Sequence, residues 1–559
     1  MLTERIGKSL WGKGFFLLLL FFIVISCGKE KNQSQPPVPE SFYFSSLKID
    51  NRFQGFTYYN VSRTPVIRVG FSAPLDRTSA INVIQLSGVP LSASFANHDS
   101  VVIIQPSSSL NAITKYILSI PTSLKSAGGG TLQSPVSVNL VTVLDSTDKF
   151  PRISDQALLD LVQKQTFKYF WDFGDPTSGM ARERKSDQVT AATGGTGFGI
   201  MATVVAVSRN FINRADAVTR LLKIVNFLLT NTTTYHGAFS HWINGATGVT
   251  IPFGLQDNGG DIVETSYLMM GLLTARQFFN NQSDPAETDL RNKINTLWNG
   301  VDWSWYQQNN QNVLYWNWSP NYGWAINVQV RGWNETLITY VLAASSSTHP
   351  ITKVVYDAGF ANNGTIKNGN SYYGYLLPLG PPLGGPLFFE HYSFQGIDPQ
   401  NLSDSYCSNY LTQATNHTLI NYSYCKVNQN NYNGYSDLCW GLTASDIQNG
   451  YTASSPTNDV GVIAPTAALS SFPYTPDESM KALKFFYYVL GDKIWGDYGF
   501  KDAFNLTDIW FDSDYIAIDQ GPIICMIENY RSKLLWNLFM SCPEIKAGMR
   551  SLGFSSPLF

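Results

Sequence analysis

The chain has 559 residues, a formal net charge of −3 and 14% charged residues, against about 25% in an average soluble domain. So sparse and balanced a charge leaves no electrostatic footprint for nucleic acid or an anionic surface and favours a neutral partner. Aromatics equal charges at 14%. They gather in loops such as 315–318 and 321–324, whose rings and neighbouring Asn and Gln suit the faces and hydroxyl rims of sugars.

Arg5, Lys8 and Lys13 precede an apolar run over 15–25, too short for a membrane span and right for a signal-peptide core. Val24-Ile-Ser-Cys27 reads as a lipobox, so residues 1–26 are expected to be a lipoprotein signal peptide and Cys27 the lipidated first residue. The alternative is an ordinary signal peptide that happens to contain a cysteine. Several acyl chains, at about 0.8 kcal/mol per buried CH₂, hold a protein on a membrane essentially permanently. The expected location is therefore the bacterial cell envelope, anchored to a membrane and facing the periplasm or the cell surface. Residues 27–41 form a polar, Pro-containing tether.

The rest is too long for one ordinary domain, and two are expected. Residues 42–146 show short β-branched runs, at 65–71, 99–104, 116–120 and 136–143, divided by Gly, Pro, Asn and Ser turns. That pattern predicts an all-β sandwich. Its 71–76 segment and the Tyr-x-Leu-x-Ile strand before Gly128-Gly-Gly130 resemble bacterial Ig-like domains, for which a spacer or docking role is commoner than glycan binding.

From Ser154 the period becomes helical. Helices are predicted over 155–170, with Ser154 as N-cap, and over 195–211, 215–230, 260–280, 286–308, 335–346, 476–491, 519–540 and 543–552. Long loops rich in Gly, Asn, Tyr and Trp connect them, which suits a helical toroid whose cleft is built from loops and helix ends on one side. With Cys27 lipidated, Cys407, Cys425, Cys439, Cys525 and Cys542 remain, so at least one thiol stays unpaired. A disulfide within the first three would staple a long polar loop. No CxxC or HExxH spacing offers a metal site.

The stretch 256–267, Gln-Asp-Asn-Gly-Gly-Asp-Ile-Val-Glu-Thr-Ser-Tyr, stacks Asp257, Asp261 and Glu264 where a loop becomes a helix. Like charges at such spacings cost about 0.2 to 0.5 kcal/mol per pair, so the cluster asks for a function. Acid/base chemistry on a sugar is one answer, and a calcium site the other.

That stretch, together with 167–173, 195–201, Gly332-Trp-Asn-Glu335, 439–446 and 464–469, resembles the glucoamylase-like domain of glycoside hydrolase family 144, over about 153–555. The resemblance implies an (α/α)6 barrel that hydrolyses β-1,2-glucan, either endo or releasing sophorose, with inversion and without a cofactor. The expected architecture is a small Ig-like sandwich followed by an all-α toroid, and the expected partners are a β-glucan and, through Cys27, a membrane. Inversion needs two carboxyl groups about 6.5 to 9.5 Å apart. Glu335, in an aromatic setting that raises a pKa by desolvation, is the expected acid. Asp261 is the expected base, with Glu264 and Asp257 positioning water or hydroxyls. Glu390 and Asp459 are reserve carboxylates. Trp171, Trp242, Trp324, Trp333 and His391 are candidate sugar platforms. The competing readings are a lipoprotein that binds glycan without cleaving it, and the same fold acting on another β-glucan or an α-glucan.

Overall fold

The computed structural model describes residues 39–559, so the signal peptide, Cys27 and most of the tether lie outside it. The described chain divides into two compact units, one ending at Leu110 and resuming over Tyr116–Leu140, the other made of Asn111–Lys115 and Val141–Phe559.

The first unit packs two four-stranded antiparallel sheets. Strands β1 (Phe44–Ile49), β3 (Ile67–Phe71), β6 (Val101–Pro106) and β5 (Leu91–Ala96) form one sheet in that order. The other runs β2 (Thr57–Val61), β8 (Val136–Thr142), β7 (Lys115–Ile120), β4 (Gln85–Leu86). Along β7 burial alternates residue by residue, the period-2 signature of a strand with one face in the core. Leu47 pairs with Val69, and Ile67 with Ile104, placing all four side chains in that core. A short helix, α1 (Arg77–Val83), is capped by Asp76 Oδ1, which accepts from Ser79 N at 2.7 Å.

The second unit is helical: α2 (Asp155–Trp171), α3 (Thr193–Ser208), α4 (Arg214–Thr230), α5 (Ile262–Phe278), α6 (Pro285–Asn299), α7 (Leu337–Ser345) and further helices to Pro543–Leu552. They fall into two kinds. Nearly every residue of α3 and α5 is buried, whereas α4 buries one stripe of Ala217, Val218, Leu221, Ile224, Val225, Phe227 and Leu228. A helix apolar all round belongs inside and an amphipathic one outside. Accordingly α3 packs between α5 and Ala517–Ser532, and α5 also packs on α7. The amphipathic α4 and α6 pack on each other, and Pro543–Leu552 covers α7. The approach of α3 to α5 is set by glycine. A Cβ on Gly197 would lie 2.2 Å from Tyr267 O, and one on Gly271 2.2 Å from Gly197 O, so both must be glycine despite a cost of about 1 kcal/mol each in a helix.

Several predicted segments differ in extent. The 286–308 helix ends at Asn299, where Gly300 closes it. The 519–540 helix breaks at Lys533, in the left-handed region at φ 58°, and 476–491 becomes Pro476–Lys484 followed by a π-helical turn, Phe485–Val489. The polar loop expected around Cys407 and Cys425 is instead largely an 18-residue helix, Tyr410–Val427. All five described cysteines are buried and free, so no disulfide staples that region.

Candidate active site

The inner helices begin at one place. A cavity of about 410 Å³ is lined by Ala192 and Gly195 at the start of α3, Val263, Glu264 and Tyr267 at the start of α5, Glu335 just before α7, and Ile516 and Ile518 at the start of Ala517–Ser532. Helix N-termini carry partial positive charge and free N–H groups, so this end of the unit favours carboxylates. Trp242, Phe253, Trp316, Phe388, Tyr392 and Tyr451 supply aromatic walls.

Asp261 is the N-cap of α5. Its Oδ1 accepts from Val263 N and Glu264 N, both at 2.9 Å, and its Oδ2 faces His241 Nδ1 at 2.9 Å and accepts from Trp316 Nε1 at 3.2 Å. The strand pair Gly260–Asp261 with Asn317–Trp318 fixes the approach of that indole. Trp242 pairs with Ala192, and Thr193 N donates to His241 O at 3.1 Å, which brings the imidazole to the heads of α3 and α5. His241 Nε2 then lies 3.9 Å from Glu264 Oε1, while Glu264 Oε2 accepts from Gly194 N at 2.7 Å. Only a glycine allows that bond: a Cβ at 194 would sit 2.6 Å from Glu264 Oε2.

Burial opposes charging His241, but the Glu264 and Asp261 carboxylates outweigh it and push its pKa up to about 9. The imidazole is therefore a cation at neutral pH. Burial pushes Glu264 up to about 7, Asp261 adds to the rise, and the imidazolium and the Gly194 N–H oppose it. Glu335 sits differently. Burial pushes it up to about 7, the carboxylates of Glu264 and Asp261 push the same way, and its own backbone N–H is what opposes them. Both carboxyls thus sit near neutrality, and they differ in their partners: Glu264 faces the imidazolium and an amide donor, while burial and like charge act on Glu335, two settings that acid/base catalysis can use.

The family described as putative glucoamylase matches residues 327–543, and the bacterial Ig-like domain family matches 57–142. The chain is 54% identical to a putative glucoamylase of Bacteroides uniformis, covering 73% of this chain and 100% of that one with a TM-score of 0.72. An endo-β-1,2-glucanase from Chitinophaga pinensis, solved with sophorotriose and glucose, is 48% identical over 73% of this chain and 100% of its own, at a TM-score of 0.71. The chain belongs to the glucoamylase-like family. It is also 47% identical over 424 residues to an exo-β-1,2-glucooligosaccharide sophorohydrolase of Parabacteroides distasonis; the match takes in 72% of this chain and 58% of the relative.

In this glucoamylase-like unit Glu335, Glu264 and Trp242 line the cavity. Asp261 does not. Fully buried, with both oxygens occupied by N–H donors and the imidazole, it has no lone pair for a water or an ion, and its task is to cap α5 and orient His241. The same saturation removes the calcium alternative at that cluster. Asp257 is half-buried in the turn that pairs Gly254 with Asp257, where Asn317 hydrogen-bonds it and burial and Asp261 raise its pKa.

The remaining candidates lie elsewhere. Trp171 is held between Phe167 and the Arg220 guanidinium, which lies 4.5 Å from its ring centre. Trp324 packs among Trp305, Tyr306 and Tyr315. Trp333 is buried and donates Nε1 to Glu390 Oε1 at 3.0 Å; Glu390, fully buried, also accepts from Gln413 and faces His417 Nδ1. His391, 1% exposed, is pushed down to about 3 by burial and meets Ser471 Oγ at 3.0 Å. Asp459 accepts from Tyr424 and Tyr435 hydroxyls and from Gly461 N, tying a loop to a helix. These are packing and stapling roles. Sequence reasoning missed His241, the neighbour of Trp242, and it missed Glu183, Arg184, Tyr392 and Tyr451, which carry no local motif, whereas Trp316 lies in the aromatic loop 315–318.

Proposed function

We propose that this protein is a glycoside hydrolase that cleaves β-1,2-glucan, with Glu335 as general acid and Glu264 as the carboxylate that activates water. What supports the acid and base roles is the unequal setting of two carboxyls on one aromatic cavity, and what supports the substrate is the pair of β-1,2-glucan-cleaving relatives matched at 47% and 48% identity. Trp242, Phe253 and Trp316 offer faces for glucose rings. Glu335 gives its proton to the leaving oxygen as the glycosidic bond breaks. Glu264, whose ionised form the His241 imidazolium favours, takes a proton from water as that water attacks the anomeric carbon from the opposite side. The product anomer is then inverted. His241 is a positioning residue, itself fixed by Asp261.

The layering of α3, α5, α7 and Ala517–Ser532 behind one shared open end supports an (α/α)6 barrel for the helical unit. The relatives act in endo and exo modes, and this chain's mode is read from its products. The leader and Cys27 support attachment to a membrane of the cell envelope, which Cys27→Ser should abolish in membrane fractionation without unfolding the protein.

The test is incubation with linear β-1,2-glucan, laminarin, cello-oligosaccharides and starch, following product size and, by time-resolved NMR, anomeric form. Sophorose or short β-1,2-glucooligosaccharides released as the α-anomer are expected. Turnover of starch alone would overturn the substrate, and first release of the β-anomer would overturn the single displacement.

A further inference from the structure

Across the cavity from Glu264, Glu183 and Arg184 line the wall and lead to a second set of carboxylates. Asp446, Asp502 and Asp512 each offer an oxygen within 4.8 Å of the other two. Two oxygens bound to opposite sides of one calcium ion, at about 2.3 to 2.6 Å each, stand about that far apart.

The three groups are aimed rather than merely near one another. Asp502 Oδ2 accepts from Asp446 N at 2.7 Å, and Asp512 Oδ1 accepts from Ser513 N at 2.7 Å and Asp514 N at 3.1 Å. These bonds occupy one oxygen of Asp502 and one of Asp512, while both Asp446 oxygens accept from Arg184 Nη1, at 3.2 and 3.0 Å. Asp502 Oδ1 and Asp512 Oδ2 are left buried with no donor, on residues 2% and 8% exposed. Native proteins seldom leave buried polar atoms so. Asp519, 1% exposed, adds a further oxygen without a donor.

Charge points the same way. Arg184 reaches Asp446 at 3.0 Å, Glu183 at 2.9 Å and Asp514 at 3.6 Å, and Lys501 faces Asp512. The Asp502 and Asp519 carboxylates stand against one another instead. A buried carboxylate group without a counter-charge takes either protons or a metal ion. Oxygen-only ligands suit a hard divalent cation, and the spread suits calcium better than the smaller, octahedral magnesium.

We propose that Asp446, Asp502 and Asp512 bind a calcium ion that ties the strand Ala444–Ile447, whose Ala444 lines the cavity, to the 500–514 segment. The site is independent of which glycan is cleaved. Its role is structural, so its readouts are affinity and melting rather than turnover.

The full chain, stripped with EDTA and dialysed, is titrated with calcium and with magnesium by calorimetry and melted with and without each ion. Saturable calcium binding is expected, with magnesium weaker, and calcium at one hundred times its Kd should raise the melting temperature by about 3 °C or more. Asp502→Asn and Asp512→Asn should weaken calcium at least tenfold, whereas Asp257→Asn in the first cluster should leave it unchanged. If either variant does not fold, wild-type calorimetry and the metal content of the dialysed protein still decide. No saturable binding and no shift with either ion would overturn the site in favour of shared protons, and so would binding that survives both Asn substitutions.

Discussion

Two acidic clusters flank one cavity, and they are neutralised in different ways. Around Asp261 and Glu264 every oxygen has a donor or a cation: N–H groups of α5, the Trp316 indole, the Gly194 amide and the His241 imidazolium. Around Asp502, Asp512 and Asp519 three buried oxygens have no hydrogen-bond donor. The same side chain is a cap, a base or an ion ligand according to what its lone pairs meet. Carboxylate spacing in the sequence therefore shows the first cluster without assigning it, and does not show the second, whose members are brought together only by the fold.

Substitutions can break that contrast. The largest effect is expected at the two cavity carboxyls, where Glu335→Gln and Glu264→Gln should each cost about 10² to 10⁴ in turnover while substrate affinity stays near wild type by calorimetry. Near-wild-type kcat in both would remove them from the chemistry. Next comes His241→Ala, which takes the cation away from Glu264. Turnover should fall about tenfold to a hundredfold, and the acidic limb of the kcat/KM profile should move to higher pH, because the pKa of Glu264 rises without its neighbour. An unmoved acidic limb would deny the coupling.

Asp261→Asn sharpens the contrast in stability. Losing the charged cap and the imidazole contact should cost about 1 to 2 kcal/mol in denaturant unfolding, with a smaller loss of turnover than Glu264→Gln; the reverse order would make Asp261 the base. The smallest effect concerns pH. The folded pKa of Glu335, about 7, lies above its ordinary value, so its protonated form contributes stability that is fully present below about pH 4.5 and lost as pH rises through 7. Glu335→Gln should therefore melt higher than wild type at about pH 8, by roughly 1 kcal/mol after allowing for partial exposure, and match it at about pH 5.

What the sequence made legible follows from periodicity. Segments with one apolar stripe, such as α4, and alternating strands, such as β7, are readable because burial repeats at the element's own period. The Tyr410–Val427 helix was hidden because its buried face carries Gln413, His417, Thr418 and Asn421, polar groups that bond inside the protein and read as loop. At the site, Glu335, Glu264 and Trp242 were found because they fall in motifs. Asp261 reads as a base in the sequence and caps α5 in the structure, since a cap and a base are both acidic residues at a helix start. Glu390, His391 and Trp333 were drawn to the cavity by residue type, although Trp333 and Glu390 share a buried hydrogen-bonded network with Gln413 and His417, and His391 is buried against Ser471. His241 reaches its carboxylates across 20 residues of sequence, and nothing local announces that pairing.

Because each inner helix starts at the cavity, the reacting groups stand on first turns while the rim is made of the connections that precede them. Phe253 and Leu255, 50% and 89% exposed, lie on such a connection, ahead of Asp261. Lengthening or trimming it would change whether a long chain can lie across the opening or only its end can enter, and would leave Glu264 and its amide donor where they are.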